Sequence, residues 1–260
     1  DEDIVLNEEL LKLGNYMQET TLSTLISCYQ AMLPKALKAK NGVNINKKMD
    51  SYLVLGDNSD CKLNEKQLEI VNLIKEKGRI LKKDASSISI SSVKTLISKK
   101  IIIEEKEEVY RLKHDSELKE KYPLTPLQQQ AVDQILSKKN SNTVFLIHGV
   151  TGSGKTEIYM EIIELLLKDG KESIVLVPEI SLTEQIVSRF KNRFGENIAI
   201  LHSRLSEGEK YDEWRRIAKG EVKIVIGARS AIFAPLKNIG VIIIDEEHTD
   251  SYKQDGSNPK

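Results

Sequence analysis

A glycine-rich segment carries the first chemistry that this sequence predicts. It spells HGVTGSGKT over residues 148–156. Its glycines let backbone N–H groups point inward, and the helix that follows presents its positive end to the β- and γ-phosphates of a nucleotide. Lys155 would reach those phosphates, and the Thr156 hydroxyl could bind Mg²⁺. The residues predicted to form this nucleotide cradle are Gly149, Thr151, Gly152, Ser153, Gly154, Lys155 and Thr156.

An apolar strand that ends in carboxylates predicts a second chemical function. Residues 241–248 spell VIIIDEEH, so four strand residues deliver Asp245 and Glu246 to a carboxyl end. Ligands of open α/β sheets bind at that end of the strands. Asp245 would hold Mg²⁺ through water, and Glu246 would orient and deprotonate the attacking water. On a surface helix the same acidic string would be only a solvated charge run.

The elements around these motifs alternate between strand and helix. We predict a buried strand over 143–148 and a helix over 156–168, before and after the glycine-rich segment. Further strands are predicted at 173–178, 198–203, 223–227 and 241–244, with helices at 182–194 and 207–219. This order predicts an α/β fold with a mostly parallel sheet, a RecA-like P-loop lobe.

Composition sets the remaining limits. The chain has 260 residues, 40% of them hydrophobic and 30% charged, with a formal net charge of +0, which suits a soluble protein of about two domains. The apolar runs are far shorter than the ~20 residues of a spanning helix, so we expect no membrane partner. Cys28 and Cys61 form no CxxC pair, which fits a reducing cytosol and predicts no internal zinc cluster.

The part upstream of residue 115 has a different organisation. Helical periodicity over 7–33 ends at Pro34, and residues 35–60 are predicted to be irregular structure or linker. Residues 62–113 predict a helix capped by Asn64, a short helical segment over 81–86, and a second long helix opened by Ser89 or Ser91. Short strands at 101–104 and 108–112 around a charged turn are predicted to follow. This is the order of a winged-helix domain. Its thirteen Lys and Arg against eight Asp and Glu permit DNA contact, with a structural spacer as the alternative.

Six motifs then occur in order: Gln128 within LTPLQ, GVTGSGKTE, VPEISLTEQ over 177–185, LHS over 201–203, IGARSAIFAP over 226–235 and DEEHTDSYKQ over 245–254. Together they resemble superfamily 2 helicase motifs in the form found in the primosomal protein N′ (PriA) family of replication-restart DNA helicases. The resemblance is dense over 120–260 and weaker upstream. It implies the end of an N-terminal DNA-binding domain plus linker over 1–60, a winged-helix domain over 61–115 and helicase lobe 1 over 116–260.

The resemblance also implies roles for particular residues. Gln128 would read adenine, Lys155 would bind phosphate and Glu246 would be the catalytic base. His248, Tyr252 and Lys253 would couple the nucleotide state to DNA. The residues that would grip the single strand are Pro178, Glu179, His202, Gly227, Arg229 and Ser230. Trp214 is assigned to the core of the lobe, with contact to DNA or a partner as the alternative.

The implied activity is ATP-dependent 3′-to-5′ DNA unwinding that recognises stalled or abandoned forks and starts primosome assembly. We expect ATP and Mg²⁺ as cofactors, and forked and single-stranded DNA, other primosome proteins and single-stranded-DNA-binding protein as partners. We expect a monomer in the bacterial cytoplasm, associated with the nucleoid. Zinc is expected only in a second lobe, which would also supply an arginine finger, so little ATP turnover is expected from this chain alone.

Two other functions fit parts of the sequence. A P-loop enzyme of another kind, such as a nucleotide kinase, would need a phosphate-acceptor site, in which Arg229, Ser230 and the DEEH string have no role. A non-catalytic platform that binds DNA or primosome partners would need only the winged helix and the lobe.

Overall fold

The computed structural model describes residues 5–38, 45–57, 62–112, 118, 121–150 and 152–252. The chain divides into two compact units, one formed by Asp1–Ile45 with Leu112–Lys260 and the other by Asn46–Arg111. Among the described helices, none combines the length and apolarity that crossing a bilayer requires.

The unit over 46–111 is a three-stranded antiparallel sheet with helices. Its elements are β1 (Met49–Leu55), α3 (Glu65–Lys77), β2 (Arg79–Leu81), α4 (Lys82–Ser98) and β3 (Ile102–Glu108), with strand order β2-β1-β3. Asn64 and Gln67 form a capping box on α3, which confirms the predicted cap. Helix α4 breaks at Ser89, whose Oγ accepts from Ser92 N at 3.2 Å, so the predicted second helix start is also confirmed.

Two predictions for this unit are wrong. Residues 35–60 are not all irregular, because β1 lies there and pairs with both β2 and β3. Residues 101–112 do not form two strands around a turn, since β3 runs unbroken through the charged residues and pairs with β1 from Leu55↔Ile102 to Met49↔Glu108. In both cases distant strands supply the hydrogen bonds, and charged residues are tolerated on an exposed strand face. The compact unit therefore starts at Asn46 and includes β1, upstream of the expected boundary at residue 61.

The larger unit contains a parallel sheet. Strands β4 (Glu172–Leu176), β5 (Ile198–Leu201), β6 (Ile224–Gly227) and β7 (Ile239–Ile244) lie in the order β5-β6-β4-β7, with every pair parallel. Helices α5 (Pro126–Leu136), α6 (Lys155–Lys168), α7 (Glu184–Phe194) and α8 (Glu207–Lys219) complete the lobe. The α/β prediction is confirmed in this form, and it is consistent with a RecA-like helicase lobe.

Both faces of the sheet are covered. Val175 and Val177 pack with α6 and α7 in one apolar cluster, whereas Ile174 and Leu176 pack with Ile217 of α8 in another. Side chains of a strand alternate between faces, so the apolar residues Ile174 to Leu176 of β4 contact both layers, whereas Glu172 and Ser173 at its start are buried polar residues.

The predicted strand over 143–148 is absent from the structure. Residues 142–150 have no regular secondary structure, and Val144 and Leu146 are 96% and 74% exposed. Within the described residues β7 pairs only with β4, and Ile242 and Ile244 on it are half exposed. Ile147 alone of this segment packs against the apolar clusters. An apolar run does not specify a strand, because a strand exists only where a second backbone pairs with it.

The N-terminal helices pack on the lobe. Helices α1 (Glu8–Thr21) and α2 (Leu25–Met32) are followed by a 3-10 turn over Lys35–Leu37. Their apolar face, including Leu10, Cys28 and Met32, packs against Trp214 of α8 and Phe233. Asn7 caps α1 and also donates from Nδ2 to Leu236 O at 2.7 Å.

Candidate functional site

The carboxyl ends of the four parallel strands bring most of the predicted site residues to one edge of the sheet. Pro178 follows β4, His202 follows β5, Arg229 follows β6 and Asp245 follows β7. This is the edge at which open α/β sheets bind ligands. Because the strands are parallel, residues up to about seventy positions apart in sequence end at the same edge.

The glycine-rich loop leads directly into α6, whose N-terminal cap is Gly154 in the left-handed conformation, with φ +83°. A Cβ atom at Gly154 would lie 2.3 Å from Nε2 at the end of the Gln128 side chain, so a substitution is strained by the backbone angle and would displace that amide from the loop. The free amide ends of the first turn of α6 point out of the helix, as phosphate binding requires. The loop and helix of the motif are thus present, without the strand that was predicted before them.

Gln128 is held against this loop. Its Oε1 accepts from Thr125 N at 2.8 Å in the capping box of α5, and its Nε2 donates to Ser153 O at 3.2 Å. The structure therefore brings together two motifs that lie about twenty-five residues apart. Recognition of adenine by Gln128 remains a prediction.

The Lys155 ammonium lies within the curve of the loop. It donates to Gly149 O at 2.7 Å and to Val150 O at 3.4 Å. Its positive charge opposes the rise in the pKa of Asp245 that burial causes, since the two groups carry opposite charges.

Asp245 extends the β7 ladder, since its N–H donates to Leu176 O at 2.9 Å. Burial raises the pKa of this carboxyl, and the neighbouring charge of Glu246 raises it further, whereas Lys155 opposes the shift. The Tyr159 hydroxyl donates to Asp245 Oδ1 at 3.4 Å. A cation close to Asp245 would relieve the cost of holding two carboxylates side by side.

Glu246 has φ +49°, a left-handed backbone that is unusual for a residue with a side chain. Such residues persist where the surrounding structure fixes them, and they cluster at functional sites. His248 Nε2 lies 3.6 Å from Glu246 Oε2, and both side chains are accessible. The two residues predicted as base and coupling group are therefore in contact.

The residues predicted to grip DNA surround a separate cavity of about 350 Å³ on the same edge. Pro178, Glu179, His202, Arg229 and Ser230 line it. Gly227 lies just before it as the last residue of β6, where a Cβ atom would come within 2.2 Å of Leu201 O. The structure thus assigns a close-packing role to this glycine, and brings the other five residues together.

Tyr252 joins the two parts of the site. Its side chain lines the cavity, and its single hydroxyl proton is shared between Asp245 O at 2.6 Å and Leu176 O at 3.0 Å. Burial and the Asp245 charge raise the pKa of the Tyr252 phenol, so it remains a donor at neutral pH. One side chain therefore contacts both the carboxylate-bearing backbone and the wall of the cavity.

Two predicted site residues are not among those that the structure describes, and two residues of the site were not predicted. Thr151 and Lys253 lie outside the described residues. Tyr159 was not predicted, although its position four residues after Lys155 places it on the same face of α6. Lys35 of the N-terminal segment also lines the cavity, and no local motif signals that role.

The residues present suit a nucleoside triphosphate with Mg²⁺. The loop offers glycines and an inward ammonium, and Thr156 in the first turn of α6 and Asp245 offer the oxygen ligands that Mg²⁺ prefers. Fold and site together define a P-loop nucleotide-binding lobe of the helicase type.

Comparisons with known proteins agree. The family model for DEAD/DEAH box helicases matches residues 125–258, and the chain belongs to that family. It is similar to Replication restart protein PriA of Bacillus subtilis, with 39% identity over 96% of this chain and 40% of the relative. The protein of the same name from Chlamydia pneumoniae is 35% identical over 100% of this chain and 36% of the relative. The protein of that name from Synechocystis is 45% identical, over 74% of this chain and 24% of the relative. The chain thus spans two fifths or less of these curated relatives.

Proposed function

We propose that this chain is the ATP-binding part of an ATP-dependent DNA helicase that acts in replication restart. The observation that carries the proposal is Tyr252, whose hydroxyl holds the backbone of Asp245 while its side chain lines the cavity formed by the predicted DNA-gripping residues.

In this mechanism Lys155 binds the phosphates, and Thr156 and Asp245 hold Mg²⁺. Bound ATP and its Mg²⁺ supply the scissile phosphoanhydride and neutralise its charge. Glu246 accepts the proton of the attacking water, and its contact with His248 ties the position of this base to the segment after β7. Tyr252 passes changes at Asp245 to the cavity wall. We also propose that Gln128 reads the adenine, as its place beside the loop allows.

DNA binding is assigned to the cavity and its rim. Backbone phosphates of a single strand would meet Arg229 and Ser230, in contacts that carry no sequence information. The name that these relatives share, Replication restart protein PriA, supports replication restart as the process. The other parts of the proposal come from the sequence resemblance. They are the 3′-to-5′ direction, fork recognition, primosome proteins and single-stranded-DNA-binding protein as partners, a monomeric state and a nucleoid location in the cytoplasm.

The upstream unit is proposed to be a winged-helix DNA-binding domain. Its three-stranded antiparallel sheet and its two helices, the second broken at Ser89, support this assignment. We further propose that α1 and α2 are the end of an N-terminal DNA-binding domain.

The test is binding of a fluorescent ATP analogue with Mg²⁺, with and without forked DNA at fixed salt. Lys155→Ala should abolish nucleotide binding, whereas the control Lys168→Ala, on the same helix and paired only at the surface with Glu164, should not. Equal affinity of wild type and Lys155→Ala would refute the phosphate-loop assignment.

The same titrations decide between a motor part and a passive platform. In a motor part, DNA shifts the nucleotide affinity of the wild type. In a platform, DNA binds with the same affinity whether or not nucleotide is present.

A further inference from the structure

Helix α6 presents three neighbouring side chains near its start. Tyr159 lies four residues after Lys155 and three after Thr156, and residues at these spacings are neighbours on a helix surface. Lys155 and Thr156 have roles in the proposed ATP site, whereas the proposed mechanism does not use Tyr159. The hydroxyl of Tyr159 is therefore a polar group beside the site that the helicase motifs leave unexplained.

The Tyr159 ring is part of the apolar core of the lobe. The residue is 7% exposed and packs in the cluster that contains Val175 and Ile243. A phenylalanine would fill this space without a polar atom. Because a hydroxyl taken out of water costs free energy unless it makes a hydrogen bond, a tyrosine at this position requires a partner. Among the described residues that partner is Asp245, whose Oδ1 lies 3.4 Å from the hydroxyl oxygen.

Backbone hydrogen bonds hold the main chain of Asp245 on both sides. Its N–H donates to Leu176 O at 2.9 Å, and its carbonyl oxygen accepts from the Tyr252 hydroxyl at 2.6 Å. These two bonds do not fix the carboxylate, because the terminal torsion of an aspartate has only broad preferences. The direction of the carboxylate oxygens therefore depends on the groups that donate to them.

Two groups donate to this carboxylate, and they leave room for a metal ion. They are the Tyr159 hydroxyl and the backbone N–H of Glu246. The Tyr159 contact is long for a hydrogen bond between two oxygens, so the hydroxyl orients the carboxylate without competing strongly for it. An ionised carboxylate offers about four acceptor sites, so about two remain for Mg²⁺ or for a water bound to it.

We propose that Tyr159 is a positioning residue for Mg²⁺, whose hydroxyl orients the Asp245 carboxylate toward the ion that Thr156 also binds. The two proposed ligands lie on different elements, Thr156 on α6 and Asp245 after β7. Tyr159 joins these elements, because its backbone belongs to α6 and its hydroxyl contacts Asp245. This inference rests on the proposed ATP-binding function. Removing such an outer-shell partner typically weakens metal affinity by about 10- to 100-fold.

The experiment compares Tyr159→Phe with the wild-type chain. The affinity for a fluorescent ATP analogue is measured in saturating Mg²⁺ and again in EDTA, and the ratio of the two affinities gives the contribution of the metal. We expect Tyr159→Phe to reduce this ratio by about tenfold or more. The affinity in EDTA should be unchanged, since Lys155 and the glycine-rich loop stay in place.

Two control variants are measured in the same way. Tyr29→Phe removes a hydroxyl that donates to Leu11 O at 3.5 Å in the N-terminal helices, and it should leave the ratio unchanged. Asp245→Asn removes the charge of the proposed ligand itself, and it should lower the ratio at least as far as Tyr159→Phe does. Thermal melting verifies that each variant is folded before the affinities are compared.

The outcomes separate this inference from the function on which it rests. An unchanged ratio in Tyr159→Phe overturns the inference and leaves nucleotide binding intact. An equal loss of affinity in Mg²⁺ and in EDTA shows that Tyr159 only supports the fold around the loop, and also overturns the inference. A wild-type affinity that does not depend on Mg²⁺ refutes the metal site together with the inference. Absence of nucleotide binding by the wild type in both conditions refutes the proposed function and this inference with it.

Discussion

Replacing Tyr252 by phenylalanine removes a single hydroxyl that is shared by two backbone carbonyls. The hydroxyl donates to Asp245 O at 2.6 Å and to Leu176 O at 3.0 Å, while the ring continues to line the cavity. Because the phenol carries one proton, the two contacts form one bifurcated hydrogen bond, which contributes roughly 0.5–1.5 kcal/mol, and its removal also leaves Asp245 O without this donor. Leu176 O also accepts from Asp245 N and keeps a partner, so we expect a loss of about 1–2 kcal/mol in total.

For a unit of this size that loss lowers Tm by roughly 2–8 °C. Thermal melting and urea denaturation measure it, with Tyr16→Phe as the control, since Tyr16 is 63% exposed on α1. The more specific expectation concerns coupling. In the wild type a DNA oligonucleotide should shift the affinity for a fluorescent ATP analogue, and in Tyr252→Phe the shift should largely disappear while each ligand still binds.

Two results would refute this reasoning. If Tyr252→Phe melts like Tyr16→Phe, the hydroxyl does not hold the two carbonyls. If the variant is destabilised but the DNA-induced shift in nucleotide affinity is intact, Tyr252 is a structural residue and coupling takes another route.

Three further predictions follow from single contacts. Gly154→Ala should weaken nucleotide binding, because its Cβ would displace the Gln128 amide from the loop. Gly170→Ala, with a similar φ of +72° but open space around it, should cost only about 1–2 kcal/mol of stability and leave the nucleotide affinity unchanged. Equal nucleotide affinities of the two variants would show that the contact at Gly154 is not required. Glu213→Ala removes a fully buried carboxylate that pairs with Arg216 at 2.8 Å and accepts from the N–H of Ile200 in β5. Urea denaturation should show a loss of roughly 3–5 kcal/mol in the free energy of unfolding, whereas Glu19→Ala at an exposed position should be near neutral. Similar losses in the two variants would contradict a buried ion pair. Asp245→Asn should stabilise the chain at neutral pH, because the raised pKa of Asp245 means that the native state binds this proton more tightly than the unfolded chain. The free energy of unfolding of the wild type should therefore fall relative to that of the variant as pH rises from the ordinary aspartate pKa to the raised pKa of the native state. If the two free energies differ by a constant amount across the acidic range, the pKa of Asp245 is not raised.

Much of the local structure could be predicted from sequence alone. Asn64 with Gln67 and Thr125 with Gln128 cap their helices because the partners lie three residues apart and need nothing else. Strands β4 to β7 begin and end near the predicted positions, because their apolar runs are bounded by polar residues and each run also finds a parallel partner strand. The DEEH carboxylates follow a strand as predicted.

Other elements could not be predicted because their partners are distant in the chain. Strand β1 exists through pairing with β2 and β3, and the charged residues of β3 form a strand for the same reason. Residues 143–148 have a strand-like composition but lie unpaired beside an open edge of the sheet. In each case a ladder of hydrogen bonds to a remote backbone decides the outcome, and hydrophobicity does not.

The site divides in the same way. The sequence by itself determined the phosphate loop, its lysine and the carboxylates, because their chemistry requires fixed residue types at fixed spacing. Only the tertiary structure decided that Tyr159 and Tyr252 hold Asp245 and that the N-terminal helices wall the cavity containing Trp214. Those contacts join residues from seven to about two hundred positions apart, and packing of the folded chain alone sets such distances.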